Sequence, residues 1–203
     1  MSDKAIRMNG FDCGCGEDHG KEQGFITKKL LENRTILVAS VVTRDLMEEV
    51  SAKLLLLEAE DPKGQITMFV NSPGGDADSG FAIYDTMKFV SCPVRTVCAG
   101  LCASAGVIIY LGGDKGSRFS FPGSRFLIHQ PSVQAQGQAS DIEITAQQII
   151  KIRDRYNAIV SKETGIPDKR ILKDANRDFW LAAPEAMEYG LVDKIISNRK
   201  ELK

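Results

Sequence analysis

The stretch Thr96-Val97-Cys98-Ala99-Gly100-Leu101-Cys102-Ala103-Ser104-Ala105-Gly106-Val107-Ile108-Ile109-Tyr110-Leu111-Gly112-Gly113 decides how this chain folds. It runs 18 residues without a charge, the lower edge of a membrane span. Four glycines and Ser104 interrupt it, however, and its large apolar residues fall into two groups around Ser104. That pattern reads as a buried strand followed by a buried helix, not as a membrane helix. Upstream the same alternation repeats: a short helix from 25 to about 32, a strand over 35–40, and a helix over 43–60 with Leu46, Val50, Leu54 and Leu57 on one stripe. A strand over 65–71, the turn Ser72-Pro73-Gly74-Gly75 and a helix over 76–90 lead to a strand over 94–99 and the helix over 105–111. Downstream, short strands over 118–121 and 124–130 precede a long helix over 139–164 that Gly165 closes. Its residues Ile142, Ile149, Ile152, Tyr156, Ile159 and Val160 form one apolar face. Short helices over 167–173 and 184–189 and a strand over 191–196 complete the chain. Strands alternating with helices predict an α/β fold of βα units around a core sheet.

Composition agrees with one globular domain. The chain has 203 residues, 43% hydrophobic and 26% charged, and a net charge of −1. At this length a chain buries roughly 70% of its unfolded surface and needs no metal or disulfide staple. The even charge balance argues against nucleic acid as the main partner, because phosphate binding relies on clustered Lys and Arg. Residues 1–24, rich in glycine, predict a flexible arm ahead of a single domain over 25–203. Five cysteines at 13, 15, 92, 98 and 102, with no apolar segment after the polar start, predict free thiols in a reducing, cytoplasmic setting. Cys13, Cys15 and His19 invite a zinc reading, but the C-x-C spacing and the want of a fourth ligand argue against it. No metal is expected.

The chemistry-bearing candidates are few. Ser104 lies between small residues at a strand-to-helix junction, where the backbone can turn sharply and leave the hydroxyl accessible. His129 ends a mostly apolar strand. Gly74 and Gly75 allow a backbone N–H to approach an oxyanion, and the N–H of Ala105 opens the helix after Ser104. A carboxylate to orient the imidazole is also required. Asp114, Asp141, Asp174 and Asp178 all qualify, and spacing does not choose among them.

The run Phe69-Val70-Asn71-Ser72-Pro73-Gly74-Gly75, the run Gly80 to Met87, Gly100 to Gly106, Phe126 to Pro131 and Ala182 to Asp193 closely resemble, in order, the ClpP family of ATP-dependent Clp protease proteolytic subunits. The resemblance covers about 30–196. It implies a ClpP/crotonase-like fold of repeated ββα units with a protruding helix-and-strand handle, formed here by 134–149 and the long helix. It places the catalytic Ser of the A-S-x-G motif on Ser104, the His of I-H-Q-P on His129 and the Asp of R-D on Asp178, with Gly74 or Gly75 and Ala105 as oxyanion donors. It implies a serine endopeptidase of stacked heptameric rings, fourteen subunits in all, that cleaves unfolded proteins. An AAA+ Clp ATPase such as ClpX, ClpA or ClpC would feed it, docking at the positions of Phe69 and Phe89. ATP belongs to that partner, since this chain has no G-x-x-x-x-G-K-[ST] loop and itself needs no cofactor.

Some positions depart from the pattern. Val133-Gln134 replace a Gly-Gly pair in the strand expected to pair with substrate, and Asp76 and Asp78 follow the Pro-Gly-Gly turn where uncharged residues are usual. Asn176 replaces an acidic residue of the ring-to-ring ion pairs, which predicts weaker stacking. The arm does not match the family's axial loop. Two other classes compete less well: a crotonase-type acyl-CoA enzyme would have no use for Ser104, His129 and Asp178 together, and a non-catalytic ring subunit would have lost one of them.

Overall fold

Thr43 caps a helix by accepting a hydrogen bond from the Leu46 N–H at 3.2 Å, and the stripe Val50, Leu54 and Leu57 is fully buried below it. Asp76 caps the next long helix in the same way in this computed structural model. The structure describes residues 16–202, with side chains from Gly24 onward. The elements are α1 (Gly16–Glu32), β1 (Thr35–Val38), α2 (Arg44–Glu60), β2 (Ile66–Ser72), α3 (Ala77–Phe89), β3 (Val94–Ala103) and α4 (Ala105–Leu111). Then follow β4 (Arg118–Ser120), β5 (Arg125–Ile128), α5 (Ala139–Thr164), α6 (Asp168–Asp174), β6 (Phe179–Ala182), α7 (Ala183–Glu188), β7 (Lys194–Ile195) and a 3-10 turn at Arg199–Leu202.

The sheet runs β1-β2-β3-β4-β7, all parallel, with β5 pairing β3 in parallel and β6 pairing β5 antiparallel. One long strand, β3, serves two partners. Thr96 to Cys98 pair with β4, whereas Leu101 to Ala103 pair with β5. The switch falls at Gly100, whose φ of +126° suits only glycine. Against β2, Val70 pairs with Cys98 but Ser72 pairs with Cys102, so β3 bulges there. The Ser124 hydroxyl secures the bulge, donating to the Cys98 carbonyl at 2.8 Å and accepting from the Gly100 N–H at 3.1 Å.

Burial alternates along β2: Ile66, Met68, Val70 and Ser72 are buried, while the intervening residues are half-buried or exposed. One face of the sheet therefore carries the main core under α2, α3 and α4. Among the described residues the other carries a small cluster of Val97, Phe119 and Ile196 with Phe69 and Leu202. Parallel sheets are usually covered on both faces, so the open half of this one is a surface suited to a partner. Cys92, Cys98 and Cys102 are free and buried.

Several expectations change, among them a strand, β6 at Phe179–Ala182, where none is expected, a longer β3 and a shorter β7. Helix α1 begins at Gly16 rather than at 25, because once the turn at 25–32 is formed each further residue adds a hydrogen bond for little entropy. Of the apolar face of α5, Tyr156, Ile159 and Val160 are buried but Ile142 is exposed, since only the C-terminal half has other elements beside it. Residues 129–138 form no strand, because no neighbouring strand among the described residues lies there to complete a ladder. Cys13, Cys15, the start of the arm and the side chain of His19 lie outside the described residues. Among those described, no helix is long and apolar enough to cross a membrane, and no cluster of three metal-ligating side chains occurs.

Candidate active site

The register of three neighbouring strands assembles the site. Ala103, the last residue of β3, pairs with Leu127 of β5, and the Ser104 N–H donates to the Leu127 carbonyl at 2.9 Å. Ile128, the last residue of β5, pairs with Phe179, the first of β6. Continuing the antiparallel register by one step sets His129 opposite Asp178. Ser104, His129 and Asp178 thus leave adjacent strands at the same edge of the sheet. The Nδ1 of His129 lies 3.8 Å from Oδ1 of Asp178, beyond hydrogen-bond range but close enough to form one with a small rotation. Ser104 and His129 line the same two cavities. Asp114, Asp141 and Asp174, the other candidate carboxylates, are engaged elsewhere or distant from these walls: Asp114 accepts from the Val94 N–H and Asp174 from the Tyr189 hydroxyl, and Asp141 opens α5.

Ser104 has φ +53° and ψ −123°, an uncommon conformation for a residue with a side chain. Strain of this kind persists only where surroundings over-determine it. Here the β3–β5 ladder fixes the residue before it and α4 starts immediately after, so the side chain projects from a tight elbow. The Tyr156 hydroxyl donates to the Ser104 carbonyl at 3.4 Å. Burial pushes the Tyr156 pKa up, so the hydroxyl keeps the proton it donates.

Gly74 and Gly75 have φ of +90° and +149°. A Cβ on Gly74 would sit 2.7 Å from both the Ala103 carbonyl oxygen and Ser104 Cβ. The turn is therefore pressed against the elbow. The two glycines differ in what their amides do: the Gly74 N–H donates to Ser72 Oγ at 3.1 Å, and that hydroxyl donates to the Ser40 carbonyl at 2.6 Å. Gly75 sits in a parallel bridge with Val42, which engages the Gly74 carbonyl and the Asp76 N–H and leaves the Gly75 N–H on the other edge. The N–H of Ala105, first in α4, has no carbonyl of its own helix to reach. Of the expected donors, the Gly75 and Ala105 N–H groups have no hydrogen-bond partner among the described residues, and Gly74 is spent on holding the turn. Gly74→Ala is expected to lower the melting temperature, since the added Cβ meets the Ala103 carbonyl oxygen and Ser104 Cβ at 2.7 Å.

Several neighbours take parts in the site that the sequence reading did not assign to them. Asp76 caps α3, accepting from the Ser79 N–H at 2.7 Å, which accounts for a charge beside the turn. Asn176 accepts from the Gln130 side-chain amide at 2.9 Å, tying the segment after His129 to the one before Asp178. Tyr156, Ile152 and Phe81, which look like core residues from periodicity, line the cavity at Ser104.

Phe69 packs against the small cluster of Val97, Phe119 and Ile196, and Phe69 and Phe89 do not line one cavity. Phe69 is half-buried, 6.3 Å from the Phe121 ring, on a cavity of about 630 Å³ with Leu30, Arg95, Ile196 and Leu202 among its walls. Phe89, at the end of α3, is 76% exposed and does not line that cavity.

Comparison with known proteins agrees with this architecture. The family model described as Clp protease matches residues 18–199. Among solved structures, the chain is similar to a point mutant of ClpP1 from Listeria monocytogenes, with 43% identity, a TM-score of 0.81, and coverage of 88% of this chain and 99% of that one.

Proposed function

The chain belongs to the Clp protease family, and from that premise we propose that it is a serine endopeptidase in which Ser104 is the nucleophile, His129 the general base and Asp178 the orienting carboxylate. One observation carries the assignment: strand register delivers these three residues to one edge, beside two N–H groups without a partner among the described residues. Ser104 Oγ attacks the peptide carbonyl while its proton passes to His129. The carbonyl oxygen becomes an oxyanion between the Gly75 and Ala105 N–H groups. His129 then gives the proton to the leaving amine as the C–N bond breaks, and water, deprotonated by the same imidazole, releases the acyl group and regenerates Ser104. Asp178 stabilises the imidazolium once the 3.8 Å separation closes. A fluorophosphonate probe tests this: labelling confined to Ser104 is expected, and its absence from an active preparation would refute the assignment.

The same reading makes the working form a ring. The open sheet face, with exposed Leu37, and the exposed Ile142, Ile144 and Ile150 on the free half of α5 supply apolar surface for contacts between copies. The proposed assembly is two stacked heptamers around a chamber, receiving unfolded chains from an AAA+ Clp ATPase that uses the ATP. Asn176, neutral and bonded to Gln130, lacks the charge for an ion pair across rings, so stacking weakens and single rings are expected by light scattering at low concentration. The Phe69 cavity is the proposed ATPase dock, with Phe89 a separate exposed contact. Phe69→Ser is expected to abolish ATPase-dependent degradation of a folded substrate while short-peptide cleavage stays largely unchanged, read in one assay pair.

A further inference from the structure

The bulge in β3 brings two thiols together. Against β2, Val70 pairs with Cys98 and Ser72 with Cys102, so Ala99, Gly100 and Leu101 together face Asn71 alone. In a regular strand, residues four apart lie about 13 Å from each other. Here the bulge sets Cys98 and Cys102 only as far apart as Val70 and Ser72, two steps of about 3.3 Å along one face of the sheet. Both side chains are completely buried in the main core. The Cys98 thiol reaches the Arg125 carbonyl at 4.0 Å, and Arg125 precedes Phe126, the residue paired with Cys102. Strand pairing on both sides of β3 therefore makes the two sulfurs neighbours. A disulfide needs Cα atoms about 4.4–6.8 Å apart, and this spacing meets that need.

The two thiols are chemically unequal. Hydrogen bonding with Cys102, to which Ser124 and the Gly100 backbone add, holds the Cys98 thiol below its ordinary value against the opposing effect of burial. Burial pushes the Cys102 thiol well above it. Because the thiolate is the nucleophile in sulfur chemistry, Cys98 reacts first and Cys102 stands beside it as the resolving thiol. The other described cysteine, Cys92, is engaged elsewhere, donating to the Asp61 carbonyl and accepting from Arg34.

We propose that Cys98 and Cys102 form a redox site, closed to a disulfide by hydrogen peroxide, and that closure slows peptide cleavage. The loss of activity rests on Ser104 as the nucleophile, whereas formation of the bond does not. The Cys98 thiolate attacks one peroxide oxygen, the O–O bond breaks, and the departing hydroxide takes up the proton the thiol gave, leaving as water. The Cys102 sulfur then attacks the resulting sulfenic acid, the S–S bond forms, and the sulfenic oxygen leaves as a second water with the Cys102 proton. Two thiols lose two electrons and two protons, and one peroxide becomes two waters. Dithiothreitol reverses the change, being itself oxidised to a disulfide. Thiols without exposed surface favour so small an oxidant, and Gly100, in the bulge between them, is exposed.

Closure acts two residues from the elbow. Cys102 gives up its 3.7 Å bond to the Val70 carbonyl, and drawing it toward Cys98 displaces Ala103 and Ser104 behind it. The Ala103 carbonyl oxygen lies only 2.7 Å from where a Cβ on Gly74 would sit, so the shift reaches the Gly74–Gly75 turn as well. Misplacing a reacting group by about 1 Å costs rate steeply.

The test treats the assembled protein with hydrogen peroxide, blocks the remaining thiols with iodoacetamide in denaturant, and maps tryptic peptides by mass spectrometry. Peptide 96–115 holds Cys98 and Cys102 and no other cysteine. It is expected to lose two hydrogen atoms and take up no iodoacetamide, in step with a fall in kcat/KM of about tenfold or more that dithiothreitol restores. Cys98→Ala, which removes the attacking thiol, is expected to keep its activity in peroxide. If that variant does not fold, Cys102→Ala decides, and it is expected to lose the inhibition that dithiothreitol reverses. A wild-type peptide that still takes up two iodoacetamides, a disulfide formed with activity unchanged, or equal inhibition of wild type and variant overturns the proposal. Reduced protein that neither cleaves peptides nor takes the fluorophosphonate sinks the peptidase reading and the effect on activity with it, while the peptide map still decides the redox site.

Discussion

Ser104→Ala is expected to lower kcat/KM for a short peptide by about 10⁴-fold or more, because the residual rate rests on binding and the oxyanion donors alone. The fold should be unaffected. The alanine keeps the residue-104 N–H bond to the Leu127 carbonyl and the Tyr156 bond to its own carbonyl, neither of which involves the hydroxyl. No side-chain cap on α4 is lost, for the Ser104 hydroxyl does not cap it. The measurement is therefore paired: a circular-dichroism melt matching wild type, with activity at or below the detection limit. An unchanged melt with activity within tenfold of wild type would remove Ser104 from the mechanism.

The second large effect is on stability. Arg118 is 1% exposed and is surrounded by acceptors: its Nε donates to the Gly113 carbonyl at 2.9 Å, one terminal nitrogen to the Glu163 carbonyl at 3.0 Å, and the other to the Glu163 carboxylate. The Tyr84 hydroxyl donates to the same carboxylate at 2.7 Å, and Lys88 lies 3.7 Å from it. This network joins β4, the end of α5 and α3. Arg118→Ala strands a buried carboxylate and is expected to cost about 3–5 kcal/mol, read as a fall in the urea midpoint with an unchanged slope. Arg118→Met combined with Glu163→Leu removes both charges and is expected to cost far less.

Acid should expose the same network. Burial alone raises the Glu163 pKa, but the Tyr84 hydroxyl and the Arg118 guanidinium, with Lys88 adding to them, outweigh it and hold the group below its ordinary value. A depressed carboxyl contributes stability that is present above the unfolded pKa and is lost as pH falls through the folded one. Wild-type stability is thus expected to drop below the usual carboxylate range, and Glu163→Gln to flatten that drop.

Local signals locate most of the elements. The α4 and α5 bounds, the caps at Thr43 and Gly165, and the two-part reading of 96–113 all follow from short-range patterns, because caps and periodicity act within a turn or two of the chain. The extension of β3 to Ala103 is not legible in this way, since the bulge at Gly100 breaks the pattern and is held by Ser124, a residue of the next loop. Ser104 and His129 stand out by motif and rarity. Among the carboxylates, the residues alone leave many choices, and family resemblance points to Asp178.

What the sequence determined by itself was the α/β class, the order of its strands and helices apart from β6, and the membership that its motifs announce, all properties written in neighbouring residues. Tertiary structure decided the rest. Only pairing between strands far apart in the chain sets Ile128 beside Phe179 and Ala103 beside Leu127, and so brings the three residues of the site to one edge. The commitment of Gly74 to Ser72, and the use of the core residues Phe81 and Tyr156 as cavity wall, depend likewise on which groups meet in space. Sequence separation carries no distance, and a hydrogen bond or a cavity exists only once the chain has closed on itself.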